Sequence, residues 1–149
     1  MPLPLVFIAS DHRGFALKAK LLAWLAEHMY DAKDLGTHSE ERCDAIDFVQ
    51  RLATEMHKND GALGVLICGT GQAMAMVANR YHHLRAVICA DPTMARITRE
   101  HNDANVLAIG SDVTGATFAV DTLETFLKTP FLGGRYAERR DKLTSLGGL

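Results

Sequence analysis

The sequence of 149 residues predicts an α/β protein with a three-layer, doubly wound, Rossmann-like fold. Short apolar segments alternate five times with longer segments of helical periodicity. The apolar segments are continuously hydrophobic, which is typical of strands buried on both faces of a parallel sheet. We therefore expect a five-stranded parallel sheet between layers of helices, joined by right-handed crossovers, with a helical extension at the C-terminus.

The first half of the chain provides two strands and two helices. Residues 5–9 predict a buried strand, and residues 30–35 predict a weaker one. Residues 15–28 predict a helix whose leucines recur at helical spacing, with Lys18 outside the apolar face. Residues 44–58 predict a second helix that begins at an aspartate N-cap and ends before an Asn-Asp-Gly turn.

The second half repeats this alternation and adds a last, basic helix. Its predicted strands, all apolar enough to be buried, are residues 63–68, 85–90 and 106–109. Its predicted helices are residues 73–78, 91–103, 115–128 and 136–146. Because no repeat or linker divides the chain, we expect one domain over residues 1–149.

The composition argues against several classes of function. The chain is 48% hydrophobic and 23% charged with a formal net charge of −2, so nothing favours binding to nucleic acid or to a membrane. Its three cysteines form no C-x-x-C pair, which argues against a disulfide framework and for a reducing compartment. The N-terminus lacks the features of a signal peptide, and no apolar run approaches the roughly 20 residues of a membrane helix. We expect a cytoplasmic protein.

The central strand ends at Cys68, and the turn Gly69-Thr70-Gly71 follows at once. A strand, a glycine turn and a helix N-terminus form a ready anion site, because the first helical N–H groups have no partner within the helix. The positive end of the helix dipole also favours the thiolate form of Cys68. This stretch therefore offers a base or nucleophile beside a cradle for negative charge.

Polar residues also occur beside other strands. Asp11 and His12 follow the first strand, whereas His101 and Asn102 precede the fifth. Since the carboxyl ends of parallel strands share one edge of the sheet, these groups and Cys68 are candidates for one site. The structural alternative is that turns after strands are polar in general and that most cysteines are simply buried.

The remaining cysteines and the His-His pair have structural interpretations. Cys89 lies in an apolar strand and is expected in the core, whereas Cys43 lies in a polar loop without an obvious partner. His82 and His83 fit a solvated turn better than a metal site, because no carboxylate or third histidine lies at ligand spacing. We expect no metal.

Two further motifs suit phosphate groups. The glycine turn is similar to a dinucleotide-binding fingerprint, with Asp91 about 20 residues further on. Met74 replaces the third small residue, however, and no second domain remains to hold a substrate. In the last helix, Arg135 and Arg139 lie four residues apart on one face, which suits bidentate phosphate binding. From spacing alone, a solvated helix face is the better interpretation of these arginines.

In combination, several segments resemble the ribose-5-phosphate isomerase B family. They are Asp11-His12 with Gly14, residues 68–71, 78–80, 85–87 and 101–107, and Gly133-Gly134-Arg135 with Arg139. The resemblance extends over nearly the whole chain. No single segment is specific to this family, but the combination of segments is. This family belongs to a wider group of sugar-phosphate isomerases that includes the galactose-6-phosphate isomerase subunits.

The resemblance implies interconversion of ribose 5-phosphate and ribulose 5-phosphate through an enediolate. It makes Cys68 the proton-transfer base and His101 the acid that assists opening of the sugar ring. Backbone N–H groups of the glycine turn and one hydroxyl, that of Thr70, would hold the developing negative charge. The residues of this turn are Gly69, Thr70, Gly71, Gln72 and Ala73.

The resemblance also implies the residues that bind the rest of the substrate. His12, Arg135 and Arg139 would bind the phosphate, whereas Asp11 and Asn102 would hold sugar hydroxyls. It further implies a homodimer whose active sites are shared between two subunits, and it leaves a tetramer open. Neither a cofactor nor a metal is implied.

Three places depart from the family pattern. Ala73 stands where the turn usually has another glycine, and Ala45-Ile46 replaces an aromatic-proline pair. Asp112 stands where many members carry an arginine near the phosphate. Because its charge would repel a phosphate, we expect Asp112 to pair with a nearby cation, such as an arginine of the tail, or to point away from the site.

These departures leave alternatives open. The protein is a ribose-5-phosphate isomerase, an isomerase of a related six-carbon sugar phosphate, or a non-catalytic nucleotide- or phosphate-binding module on the same scaffold. An isomerase requires Cys68, His101 and Asn102 around one pocket. A nucleotide-binding module requires an adenosine-sized groove beside Asp91.

Overall fold

The structure, a computed structural model, describes residues 2–147. Within them lie five strands and six helices, and every predicted element is present with its ends shifted by at most two residues. The strands are β1 (Val6–Ser10), β2 (Ala32–Asp34), β3 (Leu63–Cys68), β4 (Ala86–Ile88) and β5 (Val106–Gly110). The helices are α1 (Phe15–Glu27), α2 (Ala45–Lys58), α3 (Gln72–Ala78), α4 (Pro92–Asn102), α5 (Ala116–Lys128) and α6 (Arg135–Ser145). Over this described range, no helix is both long enough and apolar enough to cross a membrane.

The strands form one parallel sheet in the order β2-β1-β3-β5-β4, which confirms the predicted parallel arrangement. The chain passes from β1 to β2 on one side and then returns to β3 on the other side of β1. The carboxyl ends of β1 and β3 therefore form a switch point, where open α/β sheets bind their ligands. Asp11 and the turn after Cys68 both lie at this switch point.

Helices cover both faces of the sheet, because successive strand residues point to opposite sides. On one face, Ile8 and Ile67 pack in a core with α1 and α5. On the other face, Ala9, Leu66 and Cys68 pack in a second core with α2 and α3. This arrangement confirms the three predicted layers and directs the Cys68 thiol to the side of α2 and α3.

The fourth strand is shorter and less buried than predicted. The sequence predicts a buried strand at residues 85–90, but only Ala86–Ile88 pairs, and all three of its residues are half-buried. β4 lies at the edge of the sheet beside β5, so within residues 2–147 no strand neighbours its other side. Its apolar composition is shared by edge and central strands and therefore does not reveal its place in the sheet.

The prediction that Lys18 lies outside the apolar face of α1 is wrong. Its side chain is only 2% exposed, and its Nζ donates to Asp34 Oδ1 at 2.5 Å and to the carbonyl oxygen of Thr37 at 2.6 Å. A buried ammonium group is costly unless it is paired, and both partners lie far from Lys18 in the sequence. Helical periodicity therefore gives no indication of this burial.

Candidate active site

The Cys68 thiol is buried at the end of β3 and receives a backbone hydrogen bond. Its residue is 6% exposed, and the Gly71 N–H donates to Sγ across 3.1 Å. Gly71 adopts a left-handed conformation with φ of +79°, which a residue with a side chain adopts only at a cost in strain. The turn thus folds back so that a peptide N–H points at the sulfur, where it stabilises negative charge.

Thr70 contributes a second polar group to the turn. Its residue is exposed, and its hydroxyl oxygen accepts a hydrogen bond from the Gln72 N–H at 3.3 Å. The hydroxyl proton of Thr70 therefore remains available as a donor to a ligand.

Asp11 organises the turn that follows β1. The residue is 7% exposed, and its Oδ1 accepts hydrogen bonds from the N–H groups of Arg13 at 2.9 Å and Gly14 at 3.2 Å. Its own N–H donates to the carbonyl oxygen of Ile67 at 3.1 Å, which ties this turn to β3. Asp11 and Cys68 are therefore held in adjacent turns by backbone hydrogen bonds.

His12 has a partner that the sequence does not indicate. The Cys43 N–H donates to His12 Nδ1 at 3.3 Å, and the Cys43 Sγ lies 3.9 Å from the same nitrogen. Because Nδ1 accepts, the neutral imidazole carries its proton on Nε2, which can donate to a ligand. Cys43, which has no obvious partner in the sequence, therefore contacts His12, because the loop before α2 reaches the end of β1.

The turn after β5 brings Asp112 to the same edge. Asp112 Oδ2 lies 3.2 Å from Arg13 Nη1, so its cation comes from the β1 turn and not from the tail. The Asp112 N–H donates to the carbonyl oxygen of Gly69 at 2.9 Å. The Ser111 hydroxyl lies 3.0 Å from the Arg13 carbonyl oxygen and 3.2 Å from that of Cys68. We call these three linked turns, residues 11–14, 68–73 and 111–113, the turn cluster.

A second candidate region lies on another part of the molecule. His101, Asn102 and Arg139 line a groove of about 690 Å³ between the β4 edge, α4 and α6. Among the described residues that line it, Asp11, His12 and Cys68 are absent. We call this region the α4–α6 groove.

Asp103 holds the α4–α6 groove together. Its carboxylate lies 2.7 Å from Arg140, 3.5 Å from Arg85 and 3.7 Å from Arg99, so three guanidinium groups converge on one acid. Burial lowers the pKa of Arg85 and Arg99, although the Asp103 charge opposes this. The hydrogen bond to Asp103 raises the pKa of Arg140. The cluster carries excess positive charge and docks α6 beside α4.

Tyr136 on α6 contacts the groove residue His101, although it is not among the candidate site residues predicted from the sequence. Its ring stacks on His101 with the centroids 4.4 Å apart and the planes 5° apart. The Arg135 Nη2 donates to the Tyr136 hydroxyl at 3.3 Å. An aromatic residue between two candidate phosphate-binding arginines is the one signal in the sequence that points to this position.

One chain therefore brings the predicted site residues together in two sets. Asp11, His12 and Cys68 meet in the turn cluster, whereas His101, Asn102 and the tail arginines lie on α4 and α6. Within residues 2–147, no three His, Cys, Asp or Glu side chains gather as a metal site. Asp91, the residue of the nucleotide alternative, accepts the Met94 N–H at 2.9 Å as the N-cap of α4.

The family model described as Ribose/Galactose Isomerase matches residues 6–143. The chain belongs to this family. Ribose-5-phosphate isomerase B of Escherichia coli K12 is 38% identical to it over 136 residues, which cover 91% of each chain. This membership confirms the resemblance noted above and the expected enzyme class, an isomerase.

Solved structures from the same family agree with the fold. A ribose 5-phosphate isomerase from Thermotoga maritima is 40% identical with a TM-score of 0.93, and the match covers 96% of this chain and 99% of that one. A ribose-5-phosphate isomerase B from Mycoplasma genitalium, solved with bound ribulose-5-phosphate, is 35% identical with a TM-score of 0.91. That match covers 94% of this chain and 93% of the other.

Proposed function

We propose that the protein interconverts ribose 5-phosphate and ribulose 5-phosphate through an enediolate. The observation that carries this proposal is the buried Cys68 thiol, with the Gly71 N–H 3.1 Å from its sulfur, at the switch point of the sheet. A base in this position can move a proton between two neighbouring carbons without a cofactor. The relatives named for this reaction are similar to the chain over nine-tenths or more of its length.

Cys68 is the base in this proposal. Its thiolate removes the proton from C2 of the open-chain aldose, and the C–H electrons form the C1–C2 double bond while the C1 carbonyl oxygen becomes an enediolate oxygen. The proton on the C2 oxygen then passes to the C1 oxygen, so that the C2 oxygen becomes a carbonyl and the C1 oxygen a hydroxyl, while the thiol returns its proton to C1. Backbone N–H groups of the turn and the Thr70 hydroxyl stabilise the oxygen that carries the charge.

The α4–α6 groove supplies the acid and the phosphate ligands in this proposal. His101 donates a proton to the ring oxygen as its bond to C1 breaks, and the C1 hydroxyl gives its proton to solvent water as it becomes the aldehyde. The stack on Tyr136 holds the imidazole in one plane. Arg135 and Arg139 bind the phosphate together with His12. Asp11 and Asn102 bind sugar hydroxyls.

The two sets must meet for this reaction, and we propose that they meet between two subunits of a homodimer. The turn cluster and the α4–α6 groove are separate in one chain. A two-fold axis would place the groove of each subunit over the turn cluster of the other and generate two equal sites. We further propose that residues 1–149 act as one cytoplasmic domain, because the three cysteines are free thiols.

The reaction is tested with a panel of five- and six-carbon aldose phosphates. We expect turnover of ribose 5-phosphate to ribulose 5-phosphate, with exchange of solvent deuterium at C2. Preference for a six-carbon substrate would replace the proposed substrate and retain the chemistry. Absence of turnover on the whole panel, from a protein that binds sugar phosphates, would favour the binding module instead.

The shared site is tested with hybrid dimers of Cys68→Ala and His101→Ala subunits. Each variant alone should be inactive. Random pairing makes about half of the dimers hybrid, and each hybrid keeps one intact site, so activity should return to about a quarter of the wild-type value. If both residues acted within one chain, no site in any dimer would be intact, and mixing would restore nothing.

A further inference from the structure

We propose that Arg13, held by Asp112 across the backbone of Gly69, is a phosphate-binding and specificity-determining residue. Arg13, in the turn after β1, would supply the positive charge that many family members carry at position 112. The inference rests on the proposed function, because it concerns the phosphate of that substrate. Arg13 belongs to none of the residue sets that the sequence analysis identifies.

The first support for this inference is position. Arg13 follows His12 directly, and its N–H donates to Asp11 Oδ1 at 2.9 Å. Its carbonyl oxygen lies 3.0 Å from the Ser111 hydroxyl, which is also within 3.2 Å of the Cys68 carbonyl oxygen. The Ser111 hydroxyl therefore links the backbone of Arg13 to that of Cys68, the residue proposed to remove the substrate proton.

The second support is the close approach of the ion pair to the turn. A Cβ atom on Gly69 would lie 2.8 Å from Asp112 Oδ2, 3.0 Å from Arg13 Nη1 and 3.2 Å from Arg13 Cδ. These distances mean that the pair lies against the backbone of the residue after Cys68. Any side chain at position 69 would push the pair away, and glycine leaves the space for it.

The third support is the balance of charge. Asp112 alone would repel a phosphate dianion, whereas Arg13 at 3.2 Å offsets that charge. The guanidinium has five N–H donors, and within residues 2–147 Asp112 is the single carboxylate within 4 Å of it. The Arg13 side chain is 60% exposed, so its guanidinium is accessible to a ligand.

A purely structural role for the pair is the competing explanation. Both side chains are about half exposed or more, and an exposed ion pair contributes little to stability. A structural pair predicts that loss of either partner has the same consequence. A phosphate-binding Arg13 beside a repelling Asp112 predicts opposite consequences, and this difference in sign decides between them.

The experiment uses the full chain at low ionic strength and compares Arg13→Gln, Asp112→Asn and the double variant R13Q/D112R. We measure steady-state kinetics with ribose 5-phosphate and, separately, the dissociation constant of inorganic phosphate by calorimetry. Arg13→Gln should raise KM and weaken phosphate binding about tenfold, the loss of one charge-assisted hydrogen bond, with kcat nearly unchanged. Asp112→Asn should lower both KM and the dissociation constant of phosphate, because it removes a charge that repels the phosphate. The double variant should restore KM, because it moves the cation to position 112.

The control is Lys33→Gln, which removes an exposed cation of β2 whose Nζ lies 2.9 Å from the Asp31 carboxylate. Lys33→Gln should change neither KM nor the dissociation constant of phosphate. Unchanged phosphate binding in Arg13→Gln, or weakening by both Arg13→Gln and Asp112→Asn, would overturn the inference in favour of a structural pair. If wild type binds phosphate through Arg13 but turns over no sugar phosphate, the inference stands and the proposed function fails.

Discussion

Two buried cysteines lie at the carboxyl ends of parallel strands, and the polar groups near their thiols differ. Cys68 ends β3 and accepts the Gly71 N–H at 3.1 Å. Cys89 follows β4, is 1% exposed, and belongs to the core on the α1–α5 face, as its sequence predicts. Burial, with a contribution from the Asp91 charge, raises the pKa of the Cys89 thiol from 9.0 to about 12.

The turn after each strand explains this difference. After β3, the left-handed Gly71 turns its N–H back onto the sulfur. After β4, the Asp91 carboxylate takes the Met94 N–H at the start of α4 and adds a negative charge near the thiol. Of these two cysteines, only Cys68 is therefore suited to act as a base, because the turn that follows it directs a peptide N–H at the sulfur.

The largest expected difference between the two cysteines is in catalysis. Cys68→Ala should lower kcat by about a thousandfold or more, the effect of losing a proton-transfer base. Cys89→Ala should keep kcat near the wild-type value, because the thiol lies in the core. The measurement is steady-state isomerisation together with exchange of solvent deuterium at C2. Near-normal turnover by Cys68→Ala would move the role of base to Asp11 or another carboxylate.

The second expected effect tests the turn itself through Gly71→Ala. The new alanine would have to keep φ of +79°, and its Cβ atom would lie 3.3 Å from the Ile109 carbonyl carbon. The turn should therefore shift. We expect a loss of stability of about 1–3 kcal/mol and a fall in kcat of about tenfold or more. Urea unfolding and kinetics measure the two effects.

Gly61→Ala is the matched control for this strain. Gly61 has φ of +81°, and a Cβ atom added to it would lie more than 4 Å from the other described residues that could obstruct it. Its variant should therefore lose stability for the same conformational reason. It lies between α2 and β3, away from the turn cluster, and should keep its activity. Equal activity losses in both variants would show that the Gly71 N–H has no special role.

The third expected effect concerns stability at alkaline pH. An unfolded thiol loses its proton near pH 9, whereas folded Cys89 holds its proton until about pH 12, so the unfolded state binds fewer protons between these values. Stability due to Cys89 is therefore complete below pH 9 and falls as the pH rises, by up to about 1.4 kcal/mol per pH unit. The free energy of unfolding of Cys89→Ala should decline less steeply than that of wild type from pH 9 to 11. Parallel slopes would contradict the raised pKa.

The smallest expected effect is that of Asp91→Asn. Asparagine caps helices about as well as aspartate, so stability at neutral pH should change by no more than about 1 kcal/mol. The Cys89 pKa should fall, because the Asp91 charge contributes to raising it. Titration of the thiol by its ultraviolet absorbance would detect this fall. An unchanged thiol titration would assign the whole shift to burial.

Much of the fold could be predicted because its signals are local. Continuous apolar runs, helical spacing of leucines and the punctuation by Gly, Asp and Pro depend on neighbours a few residues apart. The Cys68 turn is of this kind, since the strand, the glycine at a left-handed position and the short helix are contiguous. The resemblance to the isomerase family also rests on such short segments, and the family model that matches residues 6–143 confirms it.

The tertiary structure alone decided which distant residues meet. The order of the strands places β4 at the edge of the sheet. The packing of the other elements pairs Lys18 with Asp34, brings Cys43 to His12 and stacks Tyr136 on His101. Asp112 was expected beside a cation, but its partner Arg13 lies far away in the sequence and belongs to another turn. Such pairs arise because folding brings the ends of β1, β3 and β5 to one edge. The sequence determined the elements and the chemistry at each strand end, and the packing of those elements determined the partners.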